Sequence, residues 1–382
     1  MSKKNRKIRT EFRKNRTPTV RTKDVTRDYD RAGEHLDDGH LRDERVSGKG
    51  DSTRKRTVIG QESDDKHSSF TVARQVDTNA CLHGRVLSVF GLTSNVQMED
   101  GRLFACTTRR ILRTLSTDQR HVVAAGDRVW FLPDEKSEPN EGVIERVEPR
   151  TQVLSRTSKR RQHIIVTNVD QLLIVGSAAE PYLKPNLIDR FIVCAEQSGM
   201  RPVIVINKVD LIEPADLMPL SGVYARMGYD VHLVSASSGM GMNWLRRALT
   251  GHASAVVGQS GVGKSSLLNA IDPALRLRVG EVSEENQKGK HTTTTARLIP
   301  LSVGGYVVDT PGIRQLQLWD IIPEEVLGYF RDLRPYVDLC RYPDCSHTHE
   351  TDCAIKNGVA DGRLDARRYE SYCQLSAGII EE

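Results

Sequence analysis

The chain has 382 residues, is 38% hydrophobic and carries a formal net charge of +5. No run approaches the roughly 20 apolar residues that span a bilayer, and the N-terminus lacks the apolar stretch of a signal peptide, which excludes membrane classes and points to a soluble, cytoplasmic protein of two or three domains. The charge is uneven: residues 1–75 hold 20 Lys and Arg against 13 Asp and Glu, an excess of +7 that leaves −2 for the rest.

In chain order, the first 23 residues carry ten basic side chains against one acid, Glu11, with little apolar content. Residues 1–76 read as a basic, largely disordered extension, its first part an arm drawn to phosphate backbone or a simple solvated tail. From Asp77 short apolar runs alternate with turn residues: Val86 to Phe90, Asn95 to Met98, Leu103 to Thr107, Val129 to Leu132 and Val143 to Val147. Asp100-Gly101 between two runs is a hairpin signal. Five short strands over residues 77–155 predict a small β-barrel, either the oligonucleotide-binding (OB) fold or an SH3-like barrel. Arg109, Arg110, Arg113 and Arg120 lie between the third and fourth runs, facing phosphate or forming a solvated loop.

A basic linker, Arg156 to Arg161, leads into a different texture. The apolar run Gln171 to Gly176, a helical stretch from Leu187 to Gln197 and the run Pro202 to Ile206 predict a doubly wound α/β domain over residues 163–320, its parallel strands covered on both faces. Residues 321–382 form a small α-helical region around a cysteine cluster.

Within the α/β region, Gly258-Gln259-Ser260-Gly261-Val262-Gly263-Lys264-Ser265 fits the phosphate-loop pattern G-x-x-x-x-G-K-[ST], set between a predicted strand, Ala253 to Val257, and a helix running on from Ser266. The glycines let backbone N–H groups converge on phosphate, Lys264 reaches the β and γ oxygens, and the Ser265 hydroxyl suits magnesium. Asn207-Lys208-Val209-Asp210 fits N-K-x-D, in which the aspartate accepts hydrogen bonds from guanine N1 and N2. Adenine lacks that donor pair and leaves a buried carboxylate unpaired, so the site rejects it. Ser235 and Ala236 match the backbone support for guanine O6. Asp309-Thr310-Pro311-Gly312 fits D-x-x-G, with Asp309 holding magnesium through water and the Gly312 N–H facing the γ-phosphate. Gly289 to Thr295 occupies the position of a switch that supplies a magnesium-binding threonine, Thr293 or Thr294.

GTP with Mg2+ is therefore the expected ligand, and hydrolysis to GDP and phosphate the expected reaction. The elements come in permuted order, because N-K-x-D and the Ser235-Ala236 element precede the phosphate loop. All can still meet at one sheet edge, and D-x-x-G now leads straight into the C-terminal region. Ras-like enzymes carry a water-orienting glutamine after D-x-x-G; this chain has Ile313. His291 in the switch is the candidate to orient or deprotonate water, with Lys264 as the second catalytic group; alternatively His291 only orders its loop. Slow turnover alone, stimulated by a large partner, is expected.

Cys340-x4-Cys345-x-His347-x5-Cys353 offers three thiolates and an imidazole, a closed structural Zn2+ site in which His349 competes with His347. The flanks Pro323 to Asp332 and Leu364 to Gln374 have helical period but little apolar mass, so metal supplies the missing stability. Cys81, Cys106, Cys194 and Cys373 read as core residues.

The permuted order, the segment Gly289-Lys290-His291-Thr292-Thr293-Thr294, Ile313 and the cysteine cluster together resemble the ribosome small-subunit-dependent GTPase A (RsgA) family over residues 77–382, with residues 24–76 outside its pattern. The resemblance implies an OB barrel, a circularly permuted GTPase domain and a zinc domain acting in late maturation of the small ribosomal subunit. It also implies ribosomal RNA as the stimulating surface, Asn207, Lys208, Asp210 and Gly258 to Ser266 as GTP ligands, Cys340, Cys345, His347 and Cys353 as zinc ligands, and His291 as the catalytic histidine. The alternatives are an RNA-binding, nucleotide-dependent switch with little hydrolysis of its own and an NTPase acting on a different cargo. Intact Lys264, Ser265 and Asp309 favour hydrolysis, and a monomer is the expected state.

Overall fold

The computed structural model describes residues 6–11, 55–62, 72–74, 80–109, 112, 122–134, 140–158, 161–277, 296–309 and 323–378. Inside the N-terminal extension, β1 (Arg6–Glu11), β2 (Lys55–Glu62) and β3 (Val72–Arg74) pair as an antiparallel sheet. The chain divides into two compact units, the first holding the barrel.

Each of the five runs in the barrel region forms a strand: β4 (Leu82–Phe90), β5 (Thr93–Gln97), β6 (Leu103–Thr108), β7 (Arg128–Asp134) and β8 (Glu141–Val147). Their order is β4-β5-β6-β8-β7, and β7 pairs back onto β4 to close the barrel. The parallel step between β6 and β8 is the Greek-key crossover of an OB fold, which a simple meander would lack. Alternate side chains point inward, so Val86, Val96, Phe104, Val129, Phe131 and Ile144 are buried together. Asp127 and Arg150, both almost fully buried, make two parallel hydrogen bonds of 2.7 Å, from Nε to Oδ1 and from Nη2 to Oδ2.

In the second unit the expected basic linker is part of a hairpin, β9 (Val153–Ser158) and β10 (Arg161–Thr167). Buried Leu154 and Val166 pair across the two arms and draw the chain together, and Arg156 and Arg161, expected in a linker, belong to the paired strands. The sheet that follows has the order β13 (Asp230–Leu233), β12 (Arg201–Asn207), β11 (Gln171–Ser177), β14 (Ala253–Val257), β16 (Tyr306–Asp309) and β15 (Arg297–Pro300). All run parallel except β15. The helices are α1 (Pro185–Gln197), α2 (Met218–Arg226), α3 (Met242–Leu249) and α4 (Lys264–Ile271). Proline in the first turn of α1 costs no hydrogen bond, and its fixed φ suits the helix.

The continuous apolar runs of β11 and β12 have a direct cause. Leu172, Ile174, Ile204 and Ile206 join one core with Ile188 and Ile192 of α1, while Leu173, Val175, Val203 and Val205 join another with Leu245 of α3 and Leu267 of α4. Successive residues therefore bury on opposite faces.

The C-terminal region has two 3₁₀ turns, Pro323–Tyr329 and Arg334–Leu339, then α5 (Ala354–Ala360) and α6 (Ala366–Ser376). The first flank is thus not the α-helix its period suggests: the segment is short and carries Gly328, too little to sustain an α-helical nucleus. Asp365 caps α6 by accepting from the Arg367 and Arg368 N–H groups. A small core of Val326, Phe330, Leu333, Ile355, Leu364 and Tyr372 takes in Val193 of α1. Buried Arg368 ties the two regions: it donates to Asp189 of α1 at 2.7 Å and to Asp332 at 2.9 and 3.1 Å, and its guanidinium lies 4.3 Å from the Phe330 ring centroid. Tyr224 of α2 donates to the same Asp189 oxygen at 2.8 Å.

Candidate functional site

From β11 the chain runs outward through β12 and β13, then returns to place β14 on the other side of β11. The crevice at the carboxyl ends of β11 and β14 is the switch point at which open α/β sheets bind ligands. The phosphate loop sits there, between β14 and α4. Gly258 has φ +142° and a Cβ on it would meet Val175 O at 2.1 Å; Gly263 has φ +92° and a Cβ would meet Asn207 Nδ2 at 2.4 Å. Only glycine fits either position. No side chain caps α4, which leaves its leading N–H groups available to an anion. The Lys264 ammonium donates to Gly258 O at 2.8 Å and Gln259 O at 2.6 Å, across the loop it is expected to serve.

The base elements converge on this loop. Asn207, 2% exposed, donates through Nδ2 to Val262 O at 2.9 Å and accepts through Oδ1 from Ala236 N at 3.2 Å. It is a brace joining the phosphate loop to the Ser235-Ala236 turn. Val209 and Val262 are buried and anchor their loops. Lys208 adopts φ +65°, opening a 3₁₀ turn that carries Asp210, and its ammonium donates to Glu180 O. The Asp210 carboxylate, expected to be buried against guanine, is exposed, and it accepts from Ser237 Oγ at 2.9 Å. Hydrogen bonding from the Ser235 and then the Ser237 hydroxyl holds its pKa below the usual carboxylate range, so it is ionised at neutral pH.

Sequence reading missed one wall of the site. Glu180, Pro181, Tyr182 and Lys184, in the loop after β11, line an open cleft with Lys208, Gln259 and Gly261. This loop fits no named pattern; the available signal was its place at the carboxyl end of a central strand. Asp309 ends β16, the parallel neighbour of β14. His291, Thr293, Thr294, Gly312 and Ile313 lie outside the described residues, as do Arg110, Arg113 and Arg120. Arg109 pairs with Glu145 of the barrel.

The ligand atoms of Cys340, Cys345, His347 and Cys353 all lie within 4.8 Å of one another. Cys340 Sγ is 3.9 Å from Cys353 Sγ and 3.3 Å from His347 Nδ1, and Cys353 Sγ is 3.6 Å from that nitrogen. Tetrahedral zinc bonds imply about 3.8 Å between sulfurs and about 3.6 Å from sulfur to nitrogen, so the donor set fits zinc. His347 is buried, and desolvation lowers its pKa toward the neutral form that ligates metal. The competitor His349 has an 81% exposed side chain turned toward Ser346, Thr348 and Glu350. Tyr369 and Tyr372 of α6 hold the knuckle by donating to His347 O at 2.8 Å and Ser346 O at 2.9 Å. Cys81, Cys106 and Cys194 are buried core residues and Cys373 is half-buried; burial pushes the Cys106 and Cys194 thiols up to about 12. Among the described residues, no helix is long and apolar enough to cross a membrane.

Fold and crevice together define a P-loop GTPase whose base-recognition strands precede its phosphate-binding strand, a circular permutation. A sequence model described as RsgA GTPase matches residues 147–319. The small ribosomal subunit biogenesis GTPase RsgA of Sodalis glossinidius is 41% identical over 299 residues, covering 76% of this chain and 84% of that protein. Its Thermotoga petrophila counterpart is 41% identical over 72% of this chain and 89% of its own length. Among solved structures, YjeQ from Thermotoga maritima aligns with a TM-score of 0.65 and 36% identity, covering 79% of this chain and 99% of that one. YloQ, described as a circularly permuted GTPase, aligns at 0.63 and 28%, covering 80% and 98%. The chain belongs to the RsgA GTPase family.

Proposed function

We propose that this protein hydrolyses GTP on the small ribosomal subunit during late maturation of that subunit, with ribosomal RNA as the stimulating surface. One observation supports the nucleotide assignment: the Asn207 amide joins Val262 of the glycine-rich loop to the Ser235-Ala236 turn at a single crevice, which fits a phosphate cradle beside a guanine-reading Asp210. The names of the relatives supply the ribosomal context.

In this reading the N–H groups of Gly258 to Ser266 bind the phosphates and Lys264 neutralises the β and γ oxygens. Asp210 pairs with guanine N1 and N2, and Ala236 supports O6. Ser265, Asp309 and Thr293 or Thr294 would hold Mg2+, which would balance charge on the transferred phosphoryl group. The Gly312 N–H would serve the γ-phosphate. His291 orients the attacking water, because Ile313 has no polar atom with which to do so. Cys340, Cys345, His347 and Cys353 would hold a structural zinc ion. The protein acts as a cytoplasmic monomer.

The deciding measurement is GTP turnover with and without purified small subunits across a salt series. Slow turnover alone, stimulation of about 10³–10⁵-fold and loss of stimulation as salt rises are expected. Equal turnover in both conditions sinks the reading. His291→Ala should lower stimulated kcat by about 10²–10⁴-fold while leaving GTP affinity intact.

A further inference from the structure

Helix α3 buries Met242, Leu245 and Leu249 and turns Asn243, Trp244 and Arg247 outward. Trp244 is 63% exposed and Met240, just before the helix, is 44% exposed. Neither is explained by the nucleotide crevice or by the core. The Arg247 guanidinium lies 5.7 Å from the Trp244 ring centroid, within cation–π range. Arg246 instead serves the fold, donating to Ala270 O at 2.8 Å and Asn243 Oδ1 at 3.1 Å.

Residues 231–271 contain no Asp or Glu, and the exposed cation on the outward face of α3 is Arg247. An exposed indole backed by arginine, on a stretch of chain without acids, complements a polyanion that offers unstacked rings. Bases of single-stranded RNA stack on such surfaces with little regard to sequence, while arginine meets the phosphate.

We propose that the outward face of α3 is a stacking platform for an unpaired base of RNA, with Trp244 taking the base and Arg247 the adjoining phosphate. The platform is wired to the guanine-recognition turn: Ser235 N donates to Met240 O at 2.9 Å, and Met242 N donates to Gly239 O at 3.3 Å. Trp244 N in turn donates to Gly241 O at 3.1 Å, so a base on Trp244 bears on the segment expected to support guanine O6. By linkage, RNA at the platform shifts guanine-nucleotide affinity and nucleotide shifts RNA affinity by the same factor. The proposal rests on the reading that small-subunit RNA is the partner, and names the surface that meets it.

The test uses the full chain loaded with Mg2+ and GDP, titrated with a single-stranded oligoribonucleotide. Trp244→Ala should weaken binding about 5- to 100-fold with the salt slope unchanged. Trp244→Phe should retain most of the affinity, and Arg247→Gln should reduce the slope by about one. GDP release should respond to the oligoribonucleotide in the native protein and not in Trp244→Ala. Native RNA affinity in Trp244→Ala overturns the platform. So does loss of GDP binding in that variant, which would make Trp244 structural. Competition for small subunits by a ribosomal protein, but not by protein-free rRNA, would assign the face to protein instead and likewise overturn it. Subunit-stimulated turnover, measured on the same samples, separates the two ideas. If the native protein shows no stimulation, the ribosomal reading fails; intact stimulation with unchanged RNA affinity in Trp244→Ala removes only the platform.

Discussion

The barrel of β4 to β8 closes on itself, so its strands pair around the ring and a continuous set of inward side chains fills the centre. The region from Pro323 to Ser376 has no such closure: it holds 3₁₀ turns and helices of 7 and 11 residues, lengths that do not persist alone in water. Its cohesion comes from side chains, namely the tyrosines clamped on the knuckle and Arg368 held between Asp189 and Asp332, to which the Cys3His cluster would add a cross-link if it holds zinc. The two regions teach that a small fold can be secured by backbone closure or by a few multivalent side chains, and that the second kind fails at single points.

The largest expected effect sets the two directly against each other. Stripping divalent metal with a chelator should abolish hydrogen-exchange protection across residues 323–378 and leave residues 82–147 protected, since metal-linked folding energy in small zinc domains is about 10–16 kcal/mol. Equal loss in both regions would break the contrast. Next, the barrel has its own point of failure in the buried Asp127–Arg150 pair: Asp127→Ala removes the carboxylate that balances a buried cation and should cost about 3–5 kcal/mol in denaturant unfolding. Replacing both partners with apolar residues of similar volume should recover most of that loss. A smaller effect, about 1 kcal/mol and confined to the C-terminal region, is expected for Tyr369→Phe, which removes the bond to His347 O. The last check expects no change. Cys106 is fully buried in the barrel, so it stays unalkylated at pH 8 with or without chelator, whereas the half-buried cluster thiols of Cys340 and Cys345 become reactive only once chelator is added.

Much of this was legible in the sequence, for reasons that differ by element. The phosphate loop could be read because its glycines answer a local demand, positive φ at Gly258 and Gly263. The five barrel runs were legible because alternate burial writes a period of two into each strand. N-K-x-D was legible as a pattern but its division of labour was not: Asp210 carries the exposed carboxylate, while Asn207 is a buried brace whose partners, Val262 and Ala236, belong to other loops. The stretch Arg156 to Arg161 shows the opposite failure, since its charge suggested a linker while the paired residues on either side made it a hairpin.

The sequence by itself determined what depends on neighbours in the chain: the glycine-rich loop before α4, the N-K-x-D turn, the cysteine spacing and the permuted order of these elements. Tertiary structure decided what depends on distant partners. It chose His347 over His349 by burying one and exposing the other. It brought the loop after β11 to the nucleotide cleft, and it joined Asp189 to Arg368 across 179 positions of sequence. Residue spacing constrains only what a short stretch of backbone can reach, and these contacts exist because the sheet order and the packing of α1 on α6 bring remote segments together.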